Sequence, residues 1–128
     1  MKKLEEPSSF YYEAINLIDL DDYDGAIKSI KKHIDSIESQ DEIALAYLNC
    51  GFLNDKLGDN LSAIDDFSSS IYFETNIDII NQRSKDISFS GRSNSRYKNG
   101  DYRGAIEDKI KAINIKKLDY WKVIDSQK

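Results

Sequence analysis

The sequence predicts an all-α protein of three helix-turn-helix pairs followed by one short C-terminal helix. The first observation is a motif that occurs three times, in which alanine at positions 26, 63 and 105 is followed by isoleucine. The second is the spacing of apolar residues after each alanine, at intervals of three and four, which is typical of an amphipathic helix. The third is the absence of strand patterns, since the 128 residues include one valine and no alternating apolar run.

The second and third pairs contain the same turn signal between their two helices. Gly58 precedes Asp59 in the second unit and Gly100 precedes Asp101 in the third, whereas the first unit has Asp21 in the glycine position. Glycine favours the left-handed conformation that ends many helices, and aspartate favours the capping position of the next helix. The predicted helices span about 8–20, 23–37, 41–57, 60–74, 78–99, 102–115 and 117–126.

Small residues recur at a fixed place in the first helix of each pair. Ala14, Gly51 and Ser93 each lie twelve residues before the motif alanine. Because the distance between packed helices depends on the side chains at their contact, small residues on both helices allow a close approach. We therefore expect the two helices of each pair to pack tightly.

These features resemble the tetratricopeptide repeat (TPR) family, most closely in the third unit around Gly100-Asp101-Tyr102 and Ala105-Ile106-Glu107-Asp108. The resemblance covers about residues 8–117 and implies an α-α superhelix, a right-handed solenoid of stacked helix pairs. The expected organisation is a single TPR-like domain at 1–128, with repeats at about 8–38, 41–75 and 78–117 and a C-terminal capping helix at 118–126.

The chain departs from the family pattern in its spacing. The motif alanines are 37 and 42 residues apart, compared with about 34 residues in a standard TPR unit. The extra residues before the third unit, about Asn76 to Arg83, are expected to lengthen its first helix by about two turns. Leu118, Trp121 and Ile124 form a stripe that is expected to cover the exposed end of the third unit.

Charge is unevenly distributed along the chain. The net charge is −5, but residues 1–78 hold 6 Lys/Arg and 17 Asp/Glu, whereas residues 79–128 hold 12 and 6. The acidic total argues against general nucleic-acid binding, which depends on neutralising phosphates. The basic segment from Arg83 to Lys122 suggests either a patch for an acidic partner, head-to-tail self-association with the acidic half, or an ordinary solvated surface, and the sequence leaves all three open.

The sequence also predicts a cytoplasmic protein that does not insert into a membrane. No apolar run reaches the length of about 18 residues that a spanning helix needs. The first residues turn acidic at Glu5 and Glu6 before any apolar stretch, unlike a secretion signal. Cys50 is the only cysteine, so no internal disulfide is expected.

The TPR resemblance implies that the first helix of each pair lines a concave groove that binds a peptide or a helix of another protein. The leading hypothesis is therefore a protein-protein interaction module, a scaffold or adaptor, and the alternative is a self-assembling structural unit. Aromatic and amide side chains suit such a groove because they offer contact area and hydrogen bonds. For Tyr12, Phe52 and Tyr97, packing between helices is an equally weighted alternative. The candidate partner-binding residues are Tyr12, Ile15, Asn49, Phe52, Asn94, Tyr97 and Lys98.

Catalysis and metal binding have little support in the sequence. His33 is the only histidine, and nothing in the spacing brings it to Cys50 as a nucleophile would require. The acidic run from Asp19 to Asp24 lacks the central glycine and the final glutamate of a calcium loop. Its expected role is to cap the second helix. No enzyme activity, catalytic residue, cofactor or metal ligand is predicted.

Overall fold

The computed structural model describes residues 9–74 and 82–126, and these two ranges form six α-helices without any strand. The prediction of an all-α fold is therefore confirmed for this part of the chain. A single 3₁₀ turn, Ile34–Ser36, follows the second helix. The helices are α1 (Ser9–Asp19), α2 (Tyr23–His33), α3 (Gln40–Leu57), α4 (Asn60–Phe73), α5 (Gln82–Lys98) and α6 (Tyr102–Ser126).

Each helix packs against the next one along the chain, and α3 also contacts α5. The three predicted pairs correspond to α1 with α2, α3 with α4, and α5 with α6. The first two helices and α3 share one apolar core, in which Ala26, Ile30, Ala46 and Cys50 are buried. In this arrangement α3 packs across α1 and α2 and buries the apolar face of the first pair.

The predicted left-handed helix ends are confirmed. Gly58 has φ +77° and Gly100 has φ +85°, and each follows the last residues of a first helix. Asp21 occupies the same position in the first unit and adopts φ +60°, the only non-glycine residue with a positive φ in the described ranges. Aspartate tolerates this conformation better than most residues, so the turn keeps its shape without glycine.

An aspartate caps the second helix of every pair, as the turn motif predicts. Asp22 accepts a hydrogen bond from the Gly25 amide at 2.9 Å, so the acidic run after α1 includes a helix cap. The other two caps are Asp59, which accepts from the Ser62 amide at 3.1 Å, and Asp101, which accepts from the Gly104 amide at 3.0 Å. The hydrogen bonds to Ser62 lower the pKa of Asp59.

The ring of Phe67 lies between α3 and α5 and is fully buried. It contacts Gly51 on one side and Gly91 on the other. A methyl group at Gly51 would lie 2.7 Å from the ring, and one at Gly91 would lie 2.6 Å from it. The small residue that the repeat predicts at position 51 is thus required by packing. In the third unit the repeat predicts the small residue at Ser93, whereas the ring contacts Gly91.

The prediction of a separate C-terminal helix is wrong, because α6 continues without a break from Tyr102 to Ser126. The predicted junction near residue 116 reads Ile115-Lys116-Lys117-Leu118 and has no glycine, proline or capping residue that would end a helix. The helix therefore continues past the predicted end of the third pair and does not fold back over it. The expected lengthening of α5 concerns residues 76–83, most of which lie outside the described residues. The side chains of Leu118 and Trp121 also lie outside the described part of the structure.

Candidate functional site

A first groove, which we name groove 1, lies between α1, α2 and α3 and has a volume of about 350 Å³. Its walls are mostly apolar, and Ile15 and Phe52 remain exposed at its surface. Phe52 also packs edge-on against Phe67, with ring centres 5.1 Å apart. The groove is lined by Tyr11, Ala14, Ile15, Ile18, Ile30, Asn49, Phe52, Leu53 and Lys56.

The polar groups of groove 1 are few and differ in chemistry. Asn49 is half-buried and has an amide that can both donate and accept hydrogen bonds. Lys56 places its Nζ 6.0 Å from the centre of the Tyr23 ring, so its ammonium marks the end of the groove nearest the turn between α1 and α2. Burial, and then the carboxylate of Glu42, raise the pKa of Tyr11, which keeps its hydroxyl protonated at neutral pH.

A second groove, groove 2, lies between α5 and α6 and has a volume of about 300 Å³. Both helices supply exposed apolar side chains to it, chiefly Tyr97, Tyr102 and Ile106. The Tyr97 and Tyr102 rings meet edge to face with their centres 5.3 Å apart. The groove is lined by Ser93, Asn94, Tyr97, Tyr102, Ala105, Ile106 and Lys109.

The structure places five of the seven predicted site residues in these two grooves. Ile15, Asn49 and Phe52 come together in groove 1. Asn94 and Tyr97 come together in groove 2. The remaining two line neither groove: Tyr12 is exposed on α1, and Lys98 is engaged in an ion pair with Asp55 at 2.9 Å.

Sequence reasoning missed the contribution of the second helices. It projected the site onto α1, α3 and α5 alone, yet Ile30 from α2 lines groove 1, and Tyr102, Ile106 and Lys109 from α6 line groove 2. The signal that was available is the register of the repeats. Ile30 and Lys109 occupy the same repeat position, 79 residues apart, and each lines the groove of its own pair.

Two of the basic residues in the second half of the chain are paired with one buried carboxylate. Asp108 is fully buried and accepts hydrogen bonds from Nε and Nη2 of Arg92 at 2.9 and 2.8 Å. Arg96 donates a third from Nη1 at 2.7 Å. The basic charge at the surface of this half is therefore smaller than the sequence count suggests, and it concentrates on α6.

Cys50 is buried in the core between α3 and the first pair. Burial, with a smaller effect of the Asp66 carboxylate, raises the pKa of its thiol to about 12. A thiol of this kind stays protonated at neutral pH and is a poor nucleophile. Across residues 9–74 and 82–126, no cluster of three or more His, Cys, Asp and Glu side chains is placed to hold a metal ion.

Within the described part of the chain, none of the six helices combines the length and the apolar character needed to cross a membrane. Neither a scan against protein-family models nor a search of curated proteins found a match for this chain.

Proposed function

We propose that this chain is a protein-protein interaction module with a TPR-like, right-handed arrangement of its three helix pairs. Its working surface is groove 1, which binds an extended segment of a partner protein. The observation that supports this proposal is an apolar groove of about 350 Å³ that stays open between two helix pairs, since binding sites of proteins are typically concave, mostly apolar and furnished with a few polar groups. We also propose a cytoplasmic location, because its one cysteine provides no internal disulfide.

The polar groups of groove 1 favour an extended segment over a helix as the ligand. An extended segment has free backbone N–H and C=O groups, whereas a helix has already paired most of its own. The Asn49 amide, half-buried among apolar side chains, pairs with such a backbone through its donor and its acceptor. Ile15 and Phe52 contact the apolar side chains of the segment, and the Lys56 ammonium favours a carboxylate at one end.

The test begins with a library of linear 12-residue peptides displayed on phage and selected on the intact protein. The selected peptides are then measured by fluorescence polarisation against variants. We expect Asn49→Ala and Ile15→Ser each to weaken binding by about tenfold, the equivalent of one lost hydrogen bond or one lost apolar contact. Leu20→Ser is the matched control, because Leu20 is an exposed apolar residue at the end of α1 and does not line the groove.

Circular dichroism checks that each variant keeps its helix content. The proposal is wrong if the selected peptides bind Asn49→Ala and Ile15→Ser as tightly as the unmodified protein. It is equally wrong if Leu20→Ser weakens binding as much as they do, because the peptides would then recognise the outer face of α1.

A further inference from the structure

We infer that groove 2 and the adjoining exposed face of α6 form a docking site for an acidic amphipathic helix of another protein. We name this surface the end face and define it by Tyr97, Tyr102, Ile106, Ile110 and Ile113, all exposed. The inference concerns a different surface, and a different kind of ligand, from the proposed peptide site in groove 1.

The end face is the repeat counterpart of a surface that another helix covers inside this same chain. Residues of the first pair have their counterparts 79 positions later in the third pair, as Ala26 and Ala105 show. Ile27 is 7% exposed, whereas its counterpart Ile106 is 61% exposed. Ile34 is 9% exposed, whereas its counterpart Ile113 is 45% exposed. The same positions are thus buried at the first pair and open at the third.

The cover at the first pair is a helix, α3, which inserts Ala46, Cys50 and Leu53 into the core shared with α1 and α2. The second pair is covered in the same way by α5, against which Phe67 packs through Gly91. Two of three equivalent surfaces in the protein are therefore covered by the next helix along the chain. The third has a groove of about 300 Å³ between its two helices, and a helix is the element that covers its two counterparts.

The charges around the end face specify an acidic helix. Lys109 and Lys117 stand four residues before and after Ile113, so they share its side of α6. Neither lysine has an acidic partner within 4 Å among the residues whose side chains are described. The position of Lys109 corresponds to the buried Ile30 of the first pair. A helix covering the end face must therefore supply a carboxylate where α3 supplies apolar contact.

A second copy of this chain is a poor occupant, because its α1 lacks the required apolar stripe. The positions of α1 that correspond to the buried Cys50 and Leu53 of α3 are Glu13 and Asn16. Both are exposed and polar in this structure. A partner helix with apolar residues at these spacings, flanked by glutamate or aspartate, meets the requirement that α1 does not.

The test uses two fluorescein-labelled 18-residue peptides with the same leucine stripe at helical spacing. One has glutamate at the flanking positions and the other has lysine. We expect the glutamate peptide to bind the intact protein at least about tenfold more tightly than the lysine peptide. Ile106→Ser is expected to weaken the glutamate peptide by about tenfold or more, and Lys109→Glu is expected to reverse the preference between the two peptides.

Two controls separate this surface from the others. Leu61→Ser removes an apolar residue on α4 that is exposed to a similar extent as Ile106, and it is expected to leave binding unchanged. Asn49→Ala changes groove 1 and is also expected to leave the helical peptide bound. The proposal for groove 1 and the inference about the end face can therefore fail independently of each other. Both Ile106 and Lys109 are exposed, so their variants are expected to fold, which circular dichroism checks.

Three results would overturn the inference. The first is equal affinity for both peptides, or equal weakening by Leu61→Ser and Ile106→Ser. The second is that the protein binds vesicles of phosphatidylcholine and phosphatidylserine but neither peptide, and that Ile106→Ser abolishes the vesicle binding. That result would identify a membrane surface as the ligand of the end face. The third is a concentration-dependent dimer in sedimentation equilibrium that Ile106→Ser abolishes, which would identify a contact between copies.

Discussion

Replacing Gly91 with alanine tests the packing of Phe67 between α3 and α5. In the interior of a helix, this change ordinarily stabilises a protein by about 1 kcal/mol, because alanine has the higher helix propensity. Here the added methyl group would lie 2.6 Å from two carbon atoms of the Phe67 ring, about 1 Å closer than a favourable carbon-carbon contact. The ring has no exposed surface.

Overpacking of a buried site costs about 1–3 kcal/mol. After subtraction of the propensity gain, Gly91→Ala is expected to destabilise the protein by about 0–2 kcal/mol. The ring atoms that the methyl group would meet are Cε1, Cζ and Cε2, and leucine lacks all three. In a Phe67→Leu background, the same Gly91→Ala change is therefore expected to stabilise the protein by up to about 1 kcal/mol.

The assay is urea unfolding followed by circular dichroism at 222 nm for the four members of this double-mutant cycle. We expect a coupling energy of about 1–3 kcal/mol between positions 67 and 91, at nearly constant dependence on urea. Ser90→Ala on the same helix serves as the control for propensity alone. If Gly91→Ala stabilises both backgrounds by the same amount, the ring does not pack against Gly91 and this account of the α3–α5 contact is wrong.

Two further predictions concern buried polar and thiol groups. Asp108→Ala is expected to destabilise the protein by about 3–5 kcal/mol in urea unfolding, because Arg92 and Arg96 lose their buried partner. Glu107→Ala, at an exposed neighbouring site, is expected to change the free energy of unfolding by less than about 1 kcal/mol. Equal effects of the two changes would show that the burial of Asp108 does not matter. With a pKa of about 12, only about 10⁻⁴ of the Cys50 thiol is ionised at pH 8. We therefore expect 5,5′-dithiobis(2-nitrobenzoic acid) to label the folded protein very slowly and the urea-unfolded protein completely. Rapid labelling of the folded protein would show that the thiol is accessible.

The turns of this fold were predictable because they depend on residues close together in sequence. Gly58 and Gly100 adopt the left-handed conformation, and an aspartate caps the helix after each of them. Asp21 is the informative case, since it has φ +60° although it is not glycine. The sequence marks Asp21 as a departure from the turn glycine, and the structure shows that the conformation follows the position within the repeat and not the residue type.

The extent of α6 and the exposure of its apolar residues were not predictable in this way. The pattern of Ile106, Ile110 and Ile113 predicts an amphipathic helix, and the helix is present. Whether that apolar face is buried depends on which helix follows, and α6 continues as one helix to Ser126 without returning over it. The division of the candidate site into two grooves was not predictable either, because it depends on contacts between residues far apart in sequence. Lys98 is paired with Asp55, 43 residues earlier, and residues of α6 line groove 2.

The succession of contacts from each helix to the next has a consequence for how the molecule loses its structure. Few contacts join helices that are not neighbours along the chain, so a helix at either end of the array can detach without disrupting those in the middle. Amide hydrogens in α3 and α4, which have neighbours on both sides, should exchange with solvent more slowly than those of α1 and α6. A ligand bound at one end would protect that end first, and the gradient of exchange rates along the chain would report where it binds.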